Sequence, residues 1–310
     1  MKRVAYWIII IIFLMCAAVA FGAVFIHNEG VIKADEEEQL AEQAIRREQV
    51  ISGMTVVAVE CISAMSGPAA EAEKDSGYPA QTVEGASRGI SILMYHTVYD
   101  PLDPPQARID NNYISTVNLE EQLSYLVQEG YSFPTWKEVR RYIDGEIDLP
   151  EKSVVLTFDD GTDGFRKHGV PLLNKYKIPA TAFIIVSKNG KKWAANKEDY
   201  PYLDLESHSY DMHRGGGRIG HGGRMTAMTF AQIYTDLKES QAILGNSNAF
   251  AYPFGDIDSY GKCRDAAEQA GFLVAVTTRY GKARPGMDPM LLPRMRVNGR
   301  NTLMAFRTLL

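Results

Sequence analysis

The chain has 310 residues, 45% of them hydrophobic, and a net charge of −5, enough to bury one large core or two small ones. The acidic balance, without a basic stripe interleaved with aromatics, leaves no electrostatic footprint for nucleic acid, so a nucleic-acid partner is not expected. Cys16, Cys61 and Cys263 make neither a disulfide framework nor a thiolate metal site.

Residues 5–26 are apolar throughout and long enough to cross a hydrocarbon layer of roughly 30 Å, with Lys2 and Arg3 in front of them. This predicts a signal anchor over 1–27, a single transmembrane helix that keeps the protein at the cell membrane with the rest of the chain outside the cytoplasm. A cleaved signal peptide, served by the small residues Ala18, Ala20 and Gly22, is the alternative and would make the protein secreted. Residues 28–66 read as a charged, partly helical stem with too few heptads for a coiled coil. Over 67–89 the composition turns to Pro, Gly, Ala, Ser and Glu, that of a flexible linker. A folded domain is therefore expected over 90–310.

Inside that domain short apolar runs recur at 92–95, 154–158, 181–186, 202–205, 249–252 and 272–277, separated by helical patterns. Asn118 with Glu121, Thr135 with Glu138 and Thr229 with Gln232 are spaced as capping boxes that open helices, and Pro171 interrupts a helix over 165–176. The alternation argues for an α/β fold, and periodicity alone leaves a βα barrel and an open doubly wound sheet unseparated. Residues 214–224, RGGGRIGHGGR, are glycine-rich without apolar periodicity and read as a mobile loop.

The chemistry concentrates in two segments. In SVVLTFDDG, a strand apolar enough to be buried on both faces delivers Asp159 and Asp160 at its carboxyl end, just before a glycine that lets the chain turn. Adjacent carboxylates that both ionise repel each other, which favours a bound cation or a proton held by one of them. In ESHSYDMH, His208 and His213 are five apart, about 140° on a helix, so they suit a strand end running into a loop. Two imidazoles and a carboxylate can converge as three ligands, leaving an open position as catalytic divalent metal sites do.

TFDDG, KYKIPATAFII, the HSYDMH histidines, AFAYPFG at 249–255 and ILMYHTV at 92–98 together resemble the polysaccharide deacetylase family (NodB homology, carbohydrate esterase 4), on the side of its poly-N-acetylglucosamine deacetylases. The resemblance, spanning about residues 90–300, implies a distorted (β/α) barrel with fewer than eight strands. It implies Asp159 as catalytic base and Asp160, His208 and His213 as ligands of a divalent metal, zinc first, with cobalt or another divalent ion open. The YPFG turn, Tyr252, Pro253 and Phe254, would line the oxyanion site, with the Phe254 N–H as donor. The chain also departs from the family. The late Leu-x-His acid is absent, since no histidine follows His221, and His96 is the candidate replacement, ahead of His221; His27 and His168 are expected at the surface. Ala251 stands where many members carry an arginine beside the base, a place that Arg294 or Arg296 would fill. The late tryptophan of the acetyl pocket has no match, leaving Leu292 and Val274 to shape it.

The implied activity is removal of N-acetyl groups from N-acetylglucosamine units of an extracytoplasmic polysaccharide, peptidoglycan or poly-N-acetylglucosamine. The alternatives are an O-acetyl esterase of xylan type and an inactive glycan-binding module. Polysaccharide and membrane are the expected partners, and no protein partner is expected.

Overall fold

The computed structural model describes residues 86–310 apart from 246 and 247. The expected anchor, the stem and linker residues 67–85, with Cys16, Cys61 and His27, lie outside the described residues. Among the described residues no helix is long and apolar enough to cross a membrane.

Seven parallel strands close into a barrel: β1 (Ser91–Tyr95), β4 (Val154–Phe158), β5 (Ala180–Ile184), β6 (Leu203–Ser207), β7 (Ala249–Ala251), β8 (Val274–Tyr280) and β9 (Leu292–Arg296). Pairing of β1 with β9, Leu93 against Met295 and Met94 against Arg296, shuts the ring and rules out the open doubly wound sheet. Two short strands, β2 (Thr97–Tyr99) and β3 (Tyr113–Ser115), form a separate parallel pair after β1. Residues 86–89, assigned by composition to the linker, already belong to the fold. Ser87 N–H donates to Leu149 O at 2.8 Å and the Tyr142 hydroxyl donates to Ser87 O at 3.1 Å.

Because strand side chains alternate with period two, neighbours on one strand enter different cores. Ile92 and Val155 pack with Phe183, Ala249, Ala251, Val274, Val276 and Leu292, residues of six strands, and this is the barrel interior. The helix α2 (Trp136–Ile143), after α1 (Thr116–Gln128), supplies Trp136, Val139, Tyr142 and Ile143 to the same cluster, and Trp136 Nε1 bonds Thr181 Oγ1 at 2.9 Å. Leu93 and Leu156 instead face outward, packing with Leu119, Leu123 and Leu126 of α1. Each of these leucines is buried, contributing about 2 kcal/mol of apolar transfer.

The Thr135 and Thr229 capping boxes are present as expected. The first helix differs: it opens one turn earlier, with Ser115 Oγ accepting the Asn118 N–H at 3.1 Å, because a serine that ends β3 already satisfies that donor. Pro171 lies inside a continuous helical run over 163–176, and the regular α-helical bonding is interrupted just before it. A π-helical turn, Phe165–Gly169, leads into α3 (Val170–Tyr176), and this widened turn accommodates the missing Pro171 N–H. Further round the barrel lie α4 (Val186–Ala195), α5 (Phe230–Leu244), α6 (Lys262–Ala270) and the terminal α7 (Leu303–Arg307).

Candidate metal centre

The carboxyl ends of the parallel strands form one rim, and the DDG turn sits on it. Asp159 N–H still donates to Tyr95 O at 2.9 Å, prolonging the β4 ladder by one bond. Asp160 and Gly161 then both take positive φ, 74° and 62°, so the chain reverses within two residues. At Gly161 a Cβ would come within 2.7 Å of Ile184 Cδ1, so glycine is needed for space as well as for conformation. Its carbonyl accepts bonds from Asn189 Nδ2 at 2.7 Å and Trp193 Nε1 at 3.1 Å, both on α4. Four non-glycine residues among those described have positive φ, and Asp160, Ser209 and Phe254 of these lie at this rim. Such backbone costs of order 1–3 kcal/mol each and persists where surrounding contacts enforce it.

Asp160 Oδ1 lies 3.5 Å from His208 Nε2 and 3.4 Å from His213 Nε2. His208 Nδ1 is 2.7 Å from Ala251 O, a pure acceptor, so Nδ1 carries the hydrogen and the Nε2 lone pair faces the carboxylate. His213 packs against the Phe254 ring at 4.2 Å. Burial, with the neighbouring His208, pushes the His213 pKa down to about 4 against the pull of Asp160, so its ring is neutral at pH 7. Asp160 Oδ1 is buried and has no hydrogen-bond partner. Among the described residues these three side chains are the one group whose donor atoms, all within 4.8 Å of one another, could hold an ion. Two donors each about 2.0–2.1 Å from one tetrahedral ion stand roughly 3.3 Å apart. The separations and the orphaned oxygen therefore fit a divalent metal.

Asp159, 2% exposed, faces the other way. Both its oxygens meet Arg294 at 2.7 Å in a bidentate pair. Burial acts to raise its pKa, but the Arg294 guanidinium overrides burial and holds the carboxyl well below the usual carboxylate range. Arg294 is itself clamped: Nε donates to Thr277 O at 2.9 Å, Nη1 donates to Thr157 Oγ1 at 3.0 Å, and the guanidinium lies 5.7 Å from the Phe183 ring centre. Ala251 lies in the interior cluster on β7, and the arginine beside Asp159 comes from β9 instead. Arg296, the other candidate, instead bonds Asn112 Oδ1 at 2.6 Å on an exposed edge.

A family model described as polysaccharide deacetylase matches residues 146–275, which hold both aspartates, both histidines and Phe254. This segment of the chain is a polysaccharide deacetylase domain. A poly-β-1,6-N-acetyl-D-glucosamine N-deacetylase from Staphylococcus epidermidis is 27% identical over 242 residues, covering 70% of this chain and 81% of the relative. A protein of the same name from Staphylococcus aureus is 26% identical over 206 residues, covering 61% of this chain and 69% of its own length. Among solved structures, IcaB from Ammonifex degensii superposes with a TM-score of 0.59 at 26% identity, covering 72% of this chain and 97% of that one. The Streptococcus pyogenes deacetylase PplD, in complex with acetate, has the same fold, with a TM-score of 0.59 at 23% identity over 71% of this chain and 97% of that chain.

His96 and Arg294 fall outside the segment matched by the family model, His96 just after β1 and Arg294 on β9, the two strands that meet to close the barrel. His96 follows β1 on the same rim. Burial lowers its pKa, while the charges of Asp159 and then Asp160 act to raise it. The YPFG turn is divided. Pro253 is buried, Phe254 has φ 60°, and its N–H makes no hydrogen bond among the described residues. The Tyr252 side chain, by contrast, is no part of the site. It points outward into the cluster of Met225, Leu237, Phe250 and Ala266, because residue 252 continues the outward face of Phe250, and its hydroxyl has no hydrogen-bond partner. Leu292 and Val274 do not shape a pocket at the rim either. Each is the first residue of its strand and lies in the interior cluster closed by α2, at the opposite end of the barrel.

The glycine-rich segment takes a bonded form. Gly216 and Gly217 N–H donate to Gly222 O, and Asp256 accepts from the N–H groups of His221, at 2.9 and 3.0 Å, and Gly223, at 2.8 Å. His221 is exposed, and His168, in the π-helical turn, is partly exposed. Thr157 and Asn189 went unread as site residues, because a threonine inside a strand and an asparagine on a helix carry no sequence signal of the bonds they make.

Proposed function

We propose that this polysaccharide deacetylase is a metal-dependent hydrolase that removes N-acetyl groups from N-acetylglucosamine units of an extracytoplasmic polymer, poly-N-acetylglucosamine foremost. The observation that carries the reading is Asp160 Oδ1, buried and unpartnered between two imidazole Nε2 atoms, beside a carboxylate held ionised by Arg294. The names of the staphylococcal relatives support the substrate, and the apolar run at 5–26 behind Lys2 and Arg3 supports an anchored, outward-facing domain.

Asp160, His208 and His213 would hold the ion, zinc or another divalent metal, which supplies Lewis acidity toward water and the acetyl carbonyl. Asp159, fixed in orientation and kept anionic by Arg294, accepts the proton that water loses as it attacks. The Phe254 N–H donates to the oxyanion of the tetrahedral intermediate. His96, neutral at rest because of its burial, takes over the proton that Asp159 accepted from water and delivers it to the leaving amine nitrogen as the C–N bond breaks, which returns both groups to their resting states.

The test is acetate release by the full-length protein, loaded with zinc, from β-1,6-linked N-acetylglucosamine oligomers, with acetylated xylan oligomers alongside. Release from the amide substrate that is abolished by Asp159→Asn supports the reading. Faster release from the ester substrate would replace it with an O-acetyl esterase, and no release from either would leave a glycan-binding module.

A further inference from the structure

The two imidazoles are joined by four residues, 209–212, which belong to neither helix nor strand, so their backbone groups need partners from elsewhere. Ser209 has φ 75°, turning the chain sharply as soon as His208 is placed. On one side the carbonyls of Ser209 and Tyr210 accept the Val186 N–H at 3.1 Å and the Ser187 N–H at 2.8 Å, at the start of α4. On the other side Asp236 of α5 accepts both consecutive N–H groups, Tyr210 to Oδ1 at 2.7 Å and Asp211 to Oδ2 at 2.9 Å. The peptide before His213 is thus clamped between two helices. A second contact from α5 reinforces the clamp, since Ser240 Oγ lies 2.5 Å from Ser207 Oγ, which accepts the Ser209 N–H at 3.1 Å.

Asp236 is 8% exposed, and burial, opposed by those two backbone bonds, pushes its carboxyl up to about 6. Filling this position needs no charge. A carboxylate here has one geometric use that no apolar or singly accepting side chain can match, which is to receive two adjacent N–H groups at once.

We propose that Asp236 is a positioning residue of the metal centre: it holds residues 209–212 in the one course that brings His213 Nε2 to Asp160 Oδ1 and His208 Nε2. The inference rests on reading those three side chains as metal ligands, and it does not depend on the identity of the polysaccharide. Removing the carboxylate orphans two N–H groups next to a strained residue, and the segment relaxes by shifting its carboxyl end, which carries His213.

The experiment compares the full chain with Asp236→Ala, Asp236→Asn and Leu244→Ala, the last removing a buried side chain from the far end of the same helix. Zinc affinity is measured by competition with a chromogenic chelator, and the visible spectrum is recorded for the cobalt-loaded protein. Loss of a group that orients a metal ligand weakens binding by about 10–100-fold. Asp236→Ala should fall in that range and show an altered cobalt spectrum when saturated. Asp236→Asn, which keeps one acceptor and sets an NH2 group against the other N–H, should lose about tenfold. Leu244→Ala should melt earlier yet bind zinc as the parent does. Zinc affinity within twofold of the parent in Asp236→Ala, or an equal loss in Leu244→Ala, overturns the proposal. A parent protein that binds no divalent ion overturns the metal assignment and this proposal with it, whereas tight zinc binding without acetate release overturns only the substrate reading.

Discussion

Arg294→Met puts the central electrostatic argument at risk. The Arg294 and Asp159 side chains are 0% and 3% exposed and share two bonds of 2.7 Å, so removing the guanidinium strands a buried anion. Breaking such a pair costs about 3–5 kcal/mol. The pH dependence separates this cause from lost packing. In the parent the folded-state pKa of Asp159 lies well below its unfolded value of about 3.9. Its contribution to stability is therefore complete above the unfolded value and fades only as pH falls below about 4. In Arg294→Met burial, the largest influence, is opposed only by the weaker pull of His208 and His96 and raises the pKa, so the variant's stability should fall as pH rises through the neutral range. Urea unfolding of parent and variant should then show a gap of about 3–5 kcal/mol at pH 7.5 that shrinks toward pH 4.5. The double variant Arg294→Met with Asp159→Asn should regain most of the loss, since no unpaired charge remains. The single variant should also deacetylate at least about 100-fold more slowly, because a protonated Asp159 cannot accept a proton. An equal stability gap at both pH values, or no recovery in the double variant, would show that Arg294 acts through packing alone.

Chelator treatment should abolish acetate release and zinc or cobalt should restore it, while Asp160→Asn, His208→Ala and His213→Ala should each retain less metal after dialysis, read by elemental analysis. His96→Gln should lower kcat by about 10²–10⁴-fold with little change in KM; a loss under tenfold would remove it as the proton donor. Gly161→Ala combines φ 62° with a 2.7 Å approach to Ile184 Cδ1, so it should cost about 1–3 kcal/mol in thermal unfolding and weaken zinc binding through Asp160. Tyr252→Phe should leave kcat and KM unchanged, since that hydroxyl lies among Met225, Leu237 and Phe250 rather than at the rim; a large fall in kcat would return it to the site.

Much of the fold could be read in advance, because β1, β4, β5, β6, β7 and β8 announce themselves as short apolar runs. β9 did not. Its sequence, LPRMR, carries a proline and two arginines, a pattern that hides a strand from any hydrophobic criterion because Arg294 turns its charge into the barrel. The two capping boxes were legible for the opposite reason: a threonine and a glutamate or glutamine three apart satisfy each other's backbone without outside help.

The same division runs through the site. Residue type and spacing singled out two adjacent carboxylates and two histidines as possible ligands, and the resemblance to the deacetylase family chose Asp160 over Asp159. Convergence was another matter, since it required parallel strands far apart in sequence to end on one rim. Only the closed barrel decided that Arg294 rather than Arg296 meets Asp159, that Tyr252 faces away while its neighbour Phe254 walls His213, and that Asp236 clamps the segment between the histidines. Those choices depend on which face of a strand or helix each residue occupies, and on the strand register around a ring that closes where β1 meets β9. Such long-range pairing leaves no local trace in the order of the amino acids.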